Sequence, residues 1–141
     1  MASESRPPSI LAALLIVTAL VTVAYWANYF TGGDVQTLDA RWYAAFEHAF
    51  PVADGWLAAT SLAAGIGLWR GLKWGPLAGL LAGSALLYLA VMDITFDVEN
   101  EMYDLVLSSP QMQFELVINA WSLLLGLWTI AACWIRATVR S

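Results

Sequence analysis

Charged residues are scarce in this chain: Asp, Glu, Lys and Arg make up 12% of its 141 residues, against roughly 25% in soluble domains. Apolar residues make up 60%. This composition excludes an ordinary soluble domain and predicts an integral membrane protein. Cysteine occurs once, as Cys133, so no disulfide can form within the chain and no thiolate cluster can hold a metal.

The sequence motifs of common enzyme classes are also missing. There is no HExxH, no CxxC, no glycine pattern of a P-loop and no serine in a nucleophile elbow. Catalysis would have to rest on Asp, Glu, Tyr and the single His48, which does not favour an enzyme. The net charge of −5 argues against a nucleic-acid partner.

Four apolar stretches are long enough to span a bilayer, which takes about 20 residues per helix. They predict helices at about 10–30, 54–72, 74–92 and 110–136, with a continuation of the third helix outward through the acidic residues as an alternative. Period-two alternation, the pattern of a barrel strand, is absent. The sequence therefore predicts an all-α polytopic membrane protein: a four-transmembrane-helix bundle that forms a single domain over residues 1–141.

Charge is distributed asymmetrically between the two ends of these helices. Ten of the eleven Asp and Glu lie in or beside the two longer connecting segments, whereas five of the six Lys and Arg lie on the other side. Cytoplasmic loops collect Lys and Arg, so Arg70, Lys73, Arg136 and Arg140 are predicted to be cytoplasmic. Both termini of this plasma (inner) membrane protein would then be cytoplasmic, and both longer loops would face outward.

Two short patterns refine the outer side. Leu38, Trp42, Ala45, Phe46 and Ala49 recur at helical spacing, which predicts a short interfacial helix in the first outer loop, ended by Pro51. Ser109 followed by Pro110 is typical of an N-cap and a first helical position, so the fourth helix should start there.

Small and polar residues form a continuous seam along each predicted helix. In the fourth helix the seam is Glu115, Asn119, Ser122, Gly126, Thr129 and Cys133, and in the third it is Gly79, Gly83, Leu86, Ala90, Asp93 and Asp97. Gly79 and Gly83 form a GxxxG pair that Gly75 extends, and such residues let helices approach closely. We expect Gly75, Gly79, Gly83 and Gly126 to mediate helix packing.

The seams bring acidic residues to the outer end of the bundle, where they predict an outward-facing acidic vestibule. Carboxylates near the hydrocarbon are costly unless they face protein or water, so they are functional candidates. The candidate cation or proton ligands are Asp93, Asp97, Glu115, Asn119 and Asp54. We expect Asp93, Asp97 and Glu115 to face one another and to share a proton or a cation. Asp54 is also typical of an N-cap, and Glu115 of an acid placed near a positive helix end.

A metal site is only weakly indicated. His48 beside Glu47, together with Glu101, could bind a metal, and the oxygen-rich acids would suit a hard divalent cation such as Ca²⁺, Mg²⁺ or Mn²⁺. The acidic run from Asp93 to Glu101 lacks the glycine and ligand order of an EF-hand. No cofactor is required by any motif.

The layout of four helices with a long first outer segment, from Trp42-Tyr43-Ala44-Ala45-Phe46 to Trp56, is similar in topology to the sterol-isomerase-like and sigma-2-receptor-like membrane proteins. The acidic and histidine positions in the second and third helices of those proteins have no counterpart here. The resemblance is therefore one of layout, and it implies a lipid-like ligand as one alternative.

Three functions follow from these patterns. The first is binding of a cation or proton at the outer acids, in transport, sensing or coupling to a partner. The second is an accessory or assembly subunit that packs against other helices in the bilayer, as a homo-oligomer or with a larger membrane protein. The third is a lipid- or sterol-binding protein, with Tyr25, Tyr29, Asn28 and Asn119 lining an apolar pocket.

Overall fold

The computed structural model describes residues 9–32 and 37–139, and all regular structure in these residues is helical. The elements in chain order are α1 (Ser9–Phe30), α2 (Arg41–Glu47), α3 (Pro51–Trp69), α4 (Gly75–Glu99), a 3₁₀ turn (Met102–Leu105) and α5 (Pro110–Val139). Four segments are long and apolar enough to cross a membrane: α1, α2 with α3, α4 and α5. Arg6, Asp34 and Arg140, which contribute to the predicted orientation, lie outside the described residues.

The helix boundaries differ from the predicted ones in two places. The second long helix begins at Pro51 and not at residue 54, because proline is favourable at a first helical position. Pro51 therefore starts α3, and the short helix before it ends earlier, at Glu47. The helix α3 stops at Trp69 because Gly71 has φ +67° and the N–H of Leu72 turns back to the carbonyl of Gly67 at 2.8 Å.

The ends of α4 and α5 follow the local sequence. The helix α4 continues past the apolar stretch to Glu99, which places its acidic residues on a regular helix. The predicted cap of α5 is confirmed: Ser109 Oγ accepts a hydrogen bond from the N–H of Met112 at 3.2 Å, and Pro110 is the first helical residue.

Neighbouring long helices run antiparallel, as their glycine crossings show. A Cβ atom placed on Gly65 of α3 would lie 2.8 Å from the carbonyl oxygen of Ala12 near the start of α1. A Cβ atom on Gly83 of α4 would lie 3.0 Å from the carbonyl oxygen of Gly126 in α5. Each long helix thus packs on the next in the order α1, α3, α4, α5, with backbones in close approach.

The other predicted packing glycines also lie at close contacts between helices. A Cβ on Gly79 would meet the thiol of Cys133 in α5, and one on Gly75 would lie 2.6 Å from the backbone of Gly67 in α3. The seams of small and polar residues face inward, since Ser61, Gly83, Asn119 and Thr129 are all buried. The inner half of the bundle is a core of aliphatic side chains and alanines around Leu15, Leu68 and Leu86.

A second, smaller core lies at the acidic end, where α2 and the 3₁₀ turn cover the bundle. Its buried members are Tyr43, Met102 and Met112. The ring of Phe46 stacks on that of Phe96 of α4 with centroids 3.6 Å apart. A space remains between this outer core and the inner one, and it is lined by residues from all five helices.

Candidate functional site

The space between the two cores is a cavity of about 340 Å³, within the range of roughly 300–1,000 Å³ that small-molecule sites occupy. Its inner end is formed by Val17, Thr18, Leu57, Leu86 and Trp121, which are mostly apolar. Its outer end carries the polar groups. The cavity therefore has one apolar end near the middle of the bundle and one polar end under α2.

Four carboxylates line this acidic cavity: Glu47 of α2, Asp54 of α3, Asp93 of α4 and Glu115 of α5. Each comes from a different helix. They share one space because the acidic ends of these four helices lie at the same end of the bundle. No Lys, Arg or His is among the described residues that line the cavity. The negative charge at the polar end is thus not balanced by a basic side chain in the cavity wall.

Two of these carboxylates accept hydrogen bonds from side chains outside their own helices. The indole N–H of Trp26 in α1 donates to Asp54 Oδ2 at 2.8 Å. Glu115 Oε2 accepts from the hydroxyl of Thr37 at 2.8 Å and from that of Tyr43 at 3.1 Å. The prediction that Asp54 caps its helix is wrong, since Phe50 is the N-cap residue and Asp54 bonds across the bundle. The carboxylates are fixed in position by neutral donors.

Asp93 is within electrostatic range of four other carboxylates, those of Glu115, Asp97, Asp54 and Glu47. Asp97, one turn further out, is fully buried and does not line the cavity. Asn119 Nδ2 donates to Asp97 Oδ2 at 3.1 Å. The structure thus brings Asp93, Asp97, Glu115 and Asn119 together, with Asp93 and Glu115 at the cavity wall and the other two behind them.

The residues suggested for a metal site do not share one environment: one is buried at the cavity and two are exposed. Glu47 is buried and lines the cavity, whereas His48 is exposed, with its ring 5.7 Å from that of Tyr29. Glu101 is exposed in the turn after α4 and has φ +56°. Within residues 9–32 and 37–139, no three His, Cys, Asp or Glu side chains are grouped so that they could hold a metal ion.

Of the four residues suggested as pocket-lining for a lipid ligand, only Tyr25 lines the cavity. Asn119 is bonded to Asp97, and Asn28 is exposed on α1.

The rim of the cavity is apolar. The lining residues that are exposed to the surroundings all belong to α1 or α5, and they are Val17, Val21, Phe114, Val117 and Trp121. Inside this rim a hydrogen bond from the indole N–H of Trp121 to Thr18 Oγ1, at 3.0 Å, links the two helices. The cavity thus opens between α1 and α5 through a surface whose described side chains carry no charge.

Sequence reasoning missed the contribution of α2 and of Trp26. The apolar stripe predicted for the short helix is partly exposed, with Trp42 and Ala45 outward, and the buried residues are Tyr43 and Glu47. Tyr43 and Glu47 are four residues apart, so they lie on one face of a helix, and this spacing could have indicated that both point inward. In the sequence Trp26 resembles a tryptophan that lies at the membrane interface. Its hydrogen bond to Asp54 is visible only in the structure.

Comparison with models of protein families, with curated proteins and with solved structures finds no match for this chain.

Proposed function

We propose that this protein spans a membrane and binds, in the acidic cavity, a small molecule that has an apolar body and one cationic nitrogen. The observation that carries the proposal is the pairing of an apolar cavity with carboxylates from four helices and no base among the described lining residues. Ligand sites of this kind use apolar walls for affinity and a few convergent polar groups for orientation.

The positive charge of the ligand follows from the electrostatic repulsion among the carboxylates when the cavity is empty. Carboxylates that share a partly desolvated space repel one another, and a bound cation removes that repulsion. An ammonium group offers up to three donors to carboxylate oxygens, and an anion would add to the repulsion. Neutral donors from Trp26 and Tyr43 already occupy Asp54 and Glu115 oxygens, which orients these groups and leaves their charge unbalanced.

The route to the cavity follows from its rim. Because Val21, Val117 and the other exposed rim residues are apolar, the opening between α1 and α5 would face hydrocarbon in a bilayer. A ligand that partitions into the membrane could enter there and place its nitrogen among the acids. This supports the lipid-ligand alternative and gives the acidic residues a role in it.

Hexylamine, hexanol and hexanoate test the proposal, because they share one apolar chain and differ in their polar end. We expect hexylamine to raise the melting temperature of the purified protein by several degrees, since a ligand that binds only the folded state stabilises it. Hexanol should give a smaller rise and hexanoate none. Asp93→Asn should weaken the hexylamine effect, whereas Asp104→Asn, at an exposed acid, should not.

A matched pair of variants shows whether the effect arises in the cavity. Val21 and Val23 lie on the same helix and are 51% and 61% exposed, but only Val21 lines the cavity. Val21→Trp should abolish the hexylamine effect by filling the opening, and Val23→Trp should preserve it. Equal responses of these two variants, or a response to hexanoate as large as that to hexylamine, would overturn the proposal.

The orientation in the membrane is part of the same proposal. Arg70, Lys73 and Arg136 lie at one end of the antiparallel bundle, and the acidic cavity lies toward the other. Since basic ends of membrane helices stay in the cytoplasm, we place both termini inside the cell and the acidic end outside the plasma (inner) membrane.

Cysteine labelling checks this orientation, and Cys133 is buried, so the unaltered chain provides the background. Ser108→Cys, in the exposed segment before α5, should react in intact cells with a maleimide that cannot cross membranes. Lys73→Cys, in the loop between α3 and α4, should react only after permeabilisation. The reverse pattern would contradict the orientation and leave the ligand proposal to its own test.

A further inference from the structure

A buried pair of side chains behind the cavity has two oxygen atoms without partners. Asp97 is 0% exposed and Asn119 is 1% exposed. Their only hydrogen bond to each other joins Asn119 Nδ2 to Asp97 Oδ2 at 3.1 Å. Asp97 Oδ1 and Asn119 Oδ1 are both buried and accept no hydrogen bond from any described residue.

If Asp97 is ionised, its free oxygen cannot pair with the free oxygen of Asn119. A carboxylate oxygen and an amide oxygen are both acceptors, so no hydrogen bond can form between them. Leaving buried acceptors unpaired costs free energy, and leaving a buried charge unpaired costs more. One proton on Asp97 Oδ1 changes both atoms at once, because the acid O–H can then donate to the amide oxygen while the amide N–H continues to donate to Oδ2.

We propose that Asp97 and Asn119 form a proton-binding site, in which a protonated Asp97 makes a two-bond cyclic pair with the amide of Asn119. The site joins the outer end of α4 to α5 and lies outside the lining of the acidic cavity, so it does not depend on the identity of a cavity ligand. Loss of the proton leaves two buried acceptors unpaired and adds a charge to the acidic group.

The acidic groups that face Asp97 favour this state, whereas the hydroxyl of Tyr103 and the amide of Asn119 act on Asp97 as hydrogen-bond donors and favour its carboxylate form. Glu115 faces it from α5, Tyr103 from the 3₁₀ turn, and Asp93 lies one turn away on α4. No described base is among these neighbours. Burial raises the pKa of Tyr103, so this phenol stays protonated and adds no negative charge beside Asp97. Since none of these neighbours carries a positive charge, a proton on Asp97 is what removes its negative charge.

Infrared spectroscopy reads this proton directly, because a protonated carboxyl group has a C=O stretching band that a carboxylate lacks. We expect the difference spectrum between the unaltered protein and Asp97→Asn at neutral pH to contain this band. Asn119→Leu, which removes the amide partner, should shift its frequency. A difference spectrum without the band would overturn the proposal, and a band that Asn119→Leu leaves in place would overturn the pairing.

The dependence of stability on pH gives a second, independent readout. A proton held by the folded state and released on unfolding stabilises the protein at low pH, and this stabilisation is lost as the pH rises. Asp97→Asn preserves a cyclic pair with Asn119 through two amides that do not titrate. Between about pH 5 and about pH 9 its melting temperature should therefore fall several degrees less than that of the unaltered protein. Asp104→Asn, at an exposed acid, should show the same pH dependence as the unaltered protein. If the melting temperatures of the unaltered protein and both variants change with pH in parallel, the proton site is contradicted.

Discussion

Gly83→Leu is expected to destabilise the bundle by about 1–3 kcal/mol, the usual cost of inserting side-chain atoms into a well-packed core. A Cβ atom at this position would already lie 2.8 Å from Cγ1 of Ile130 and 3.0 Å from the carbonyl oxygen of Gly126. The isoleucine tip can move, but the backbone oxygen cannot move without shifting α5. The helices α4 and α5 would have to separate along the crossing that supports both the inner core and the Asp97–Asn119 pair.

Gly55→Leu is the matched control for this variant. Gly55 also lies within a long helix, but a Cβ atom there would meet nothing within 4 Å. Leucine at that exposed site should change stability by no more than about 0.5 kcal/mol apart from a gain in helix propensity. Unfolding followed by circular dichroism in one detergent compares the two, and equal melting temperatures would show that α4 and α5 do not meet at Gly83.

Removing the indole donor from Asp54 should also be costly. Trp26→Phe deletes the N–H that reaches the buried Asp54 Oδ2 at 2.8 Å, the hydrogen bond that joins the outer ends of α1 and α3. Hydrogen bonds to charged groups contribute about 1.5–3 kcal/mol, and an unpaired buried acceptor adds a desolvation cost. We expect a loss of stability of that order, measured by thermal unfolding at neutral pH.

A double-mutant cycle with Asp54→Leu separates this bond from the loss of ring volume. In the Asp54→Leu background Trp26→Phe should cost only packing, so the two changes should be less than additive. Trp56→Phe, at a tryptophan that is 58% exposed on α3, serves as the control for the residue type. Additive effects of Trp26→Phe and Asp54→Leu would mean that the indole does not stabilise the carboxylate.

The sequence by itself determined the helical class and the inward faces of the long helices. Apolar runs of sufficient length leave few alternatives to a helix, because backbone amides in hydrocarbon must be paired internally. The period of the small residues placed Gly83 and Gly126 on the inward faces of their helices, since a helix places residues three and four apart on one face. Local rules also located the start of α5, where Ser109 caps and Pro110 follows.

Local rules failed where a side chain has a distant partner. Asp54 has the position of an N-cap, and its bond to Trp26 connects residues 28 apart in sequence. The apolar pattern of α2 predicts a helix that rests on lipid, but Tyr43 turns inward because its hydroxyl reaches Glu115, 72 residues away. Neither preference is visible in the residues beside it in the chain.

Only the tertiary structure decided which acidic residues share a space. Sequence placed most of them on one side, but it could not separate Glu47, Asp54, Asp93 and Glu115, which line the cavity, from the buried Asp97 or from the exposed Glu101. That division depends on how far each helix extends and how it is rotated against its neighbours. Rotation is fixed by packing over the whole bundle, because one close glycine crossing sets the direction of every side chain further along the same helix.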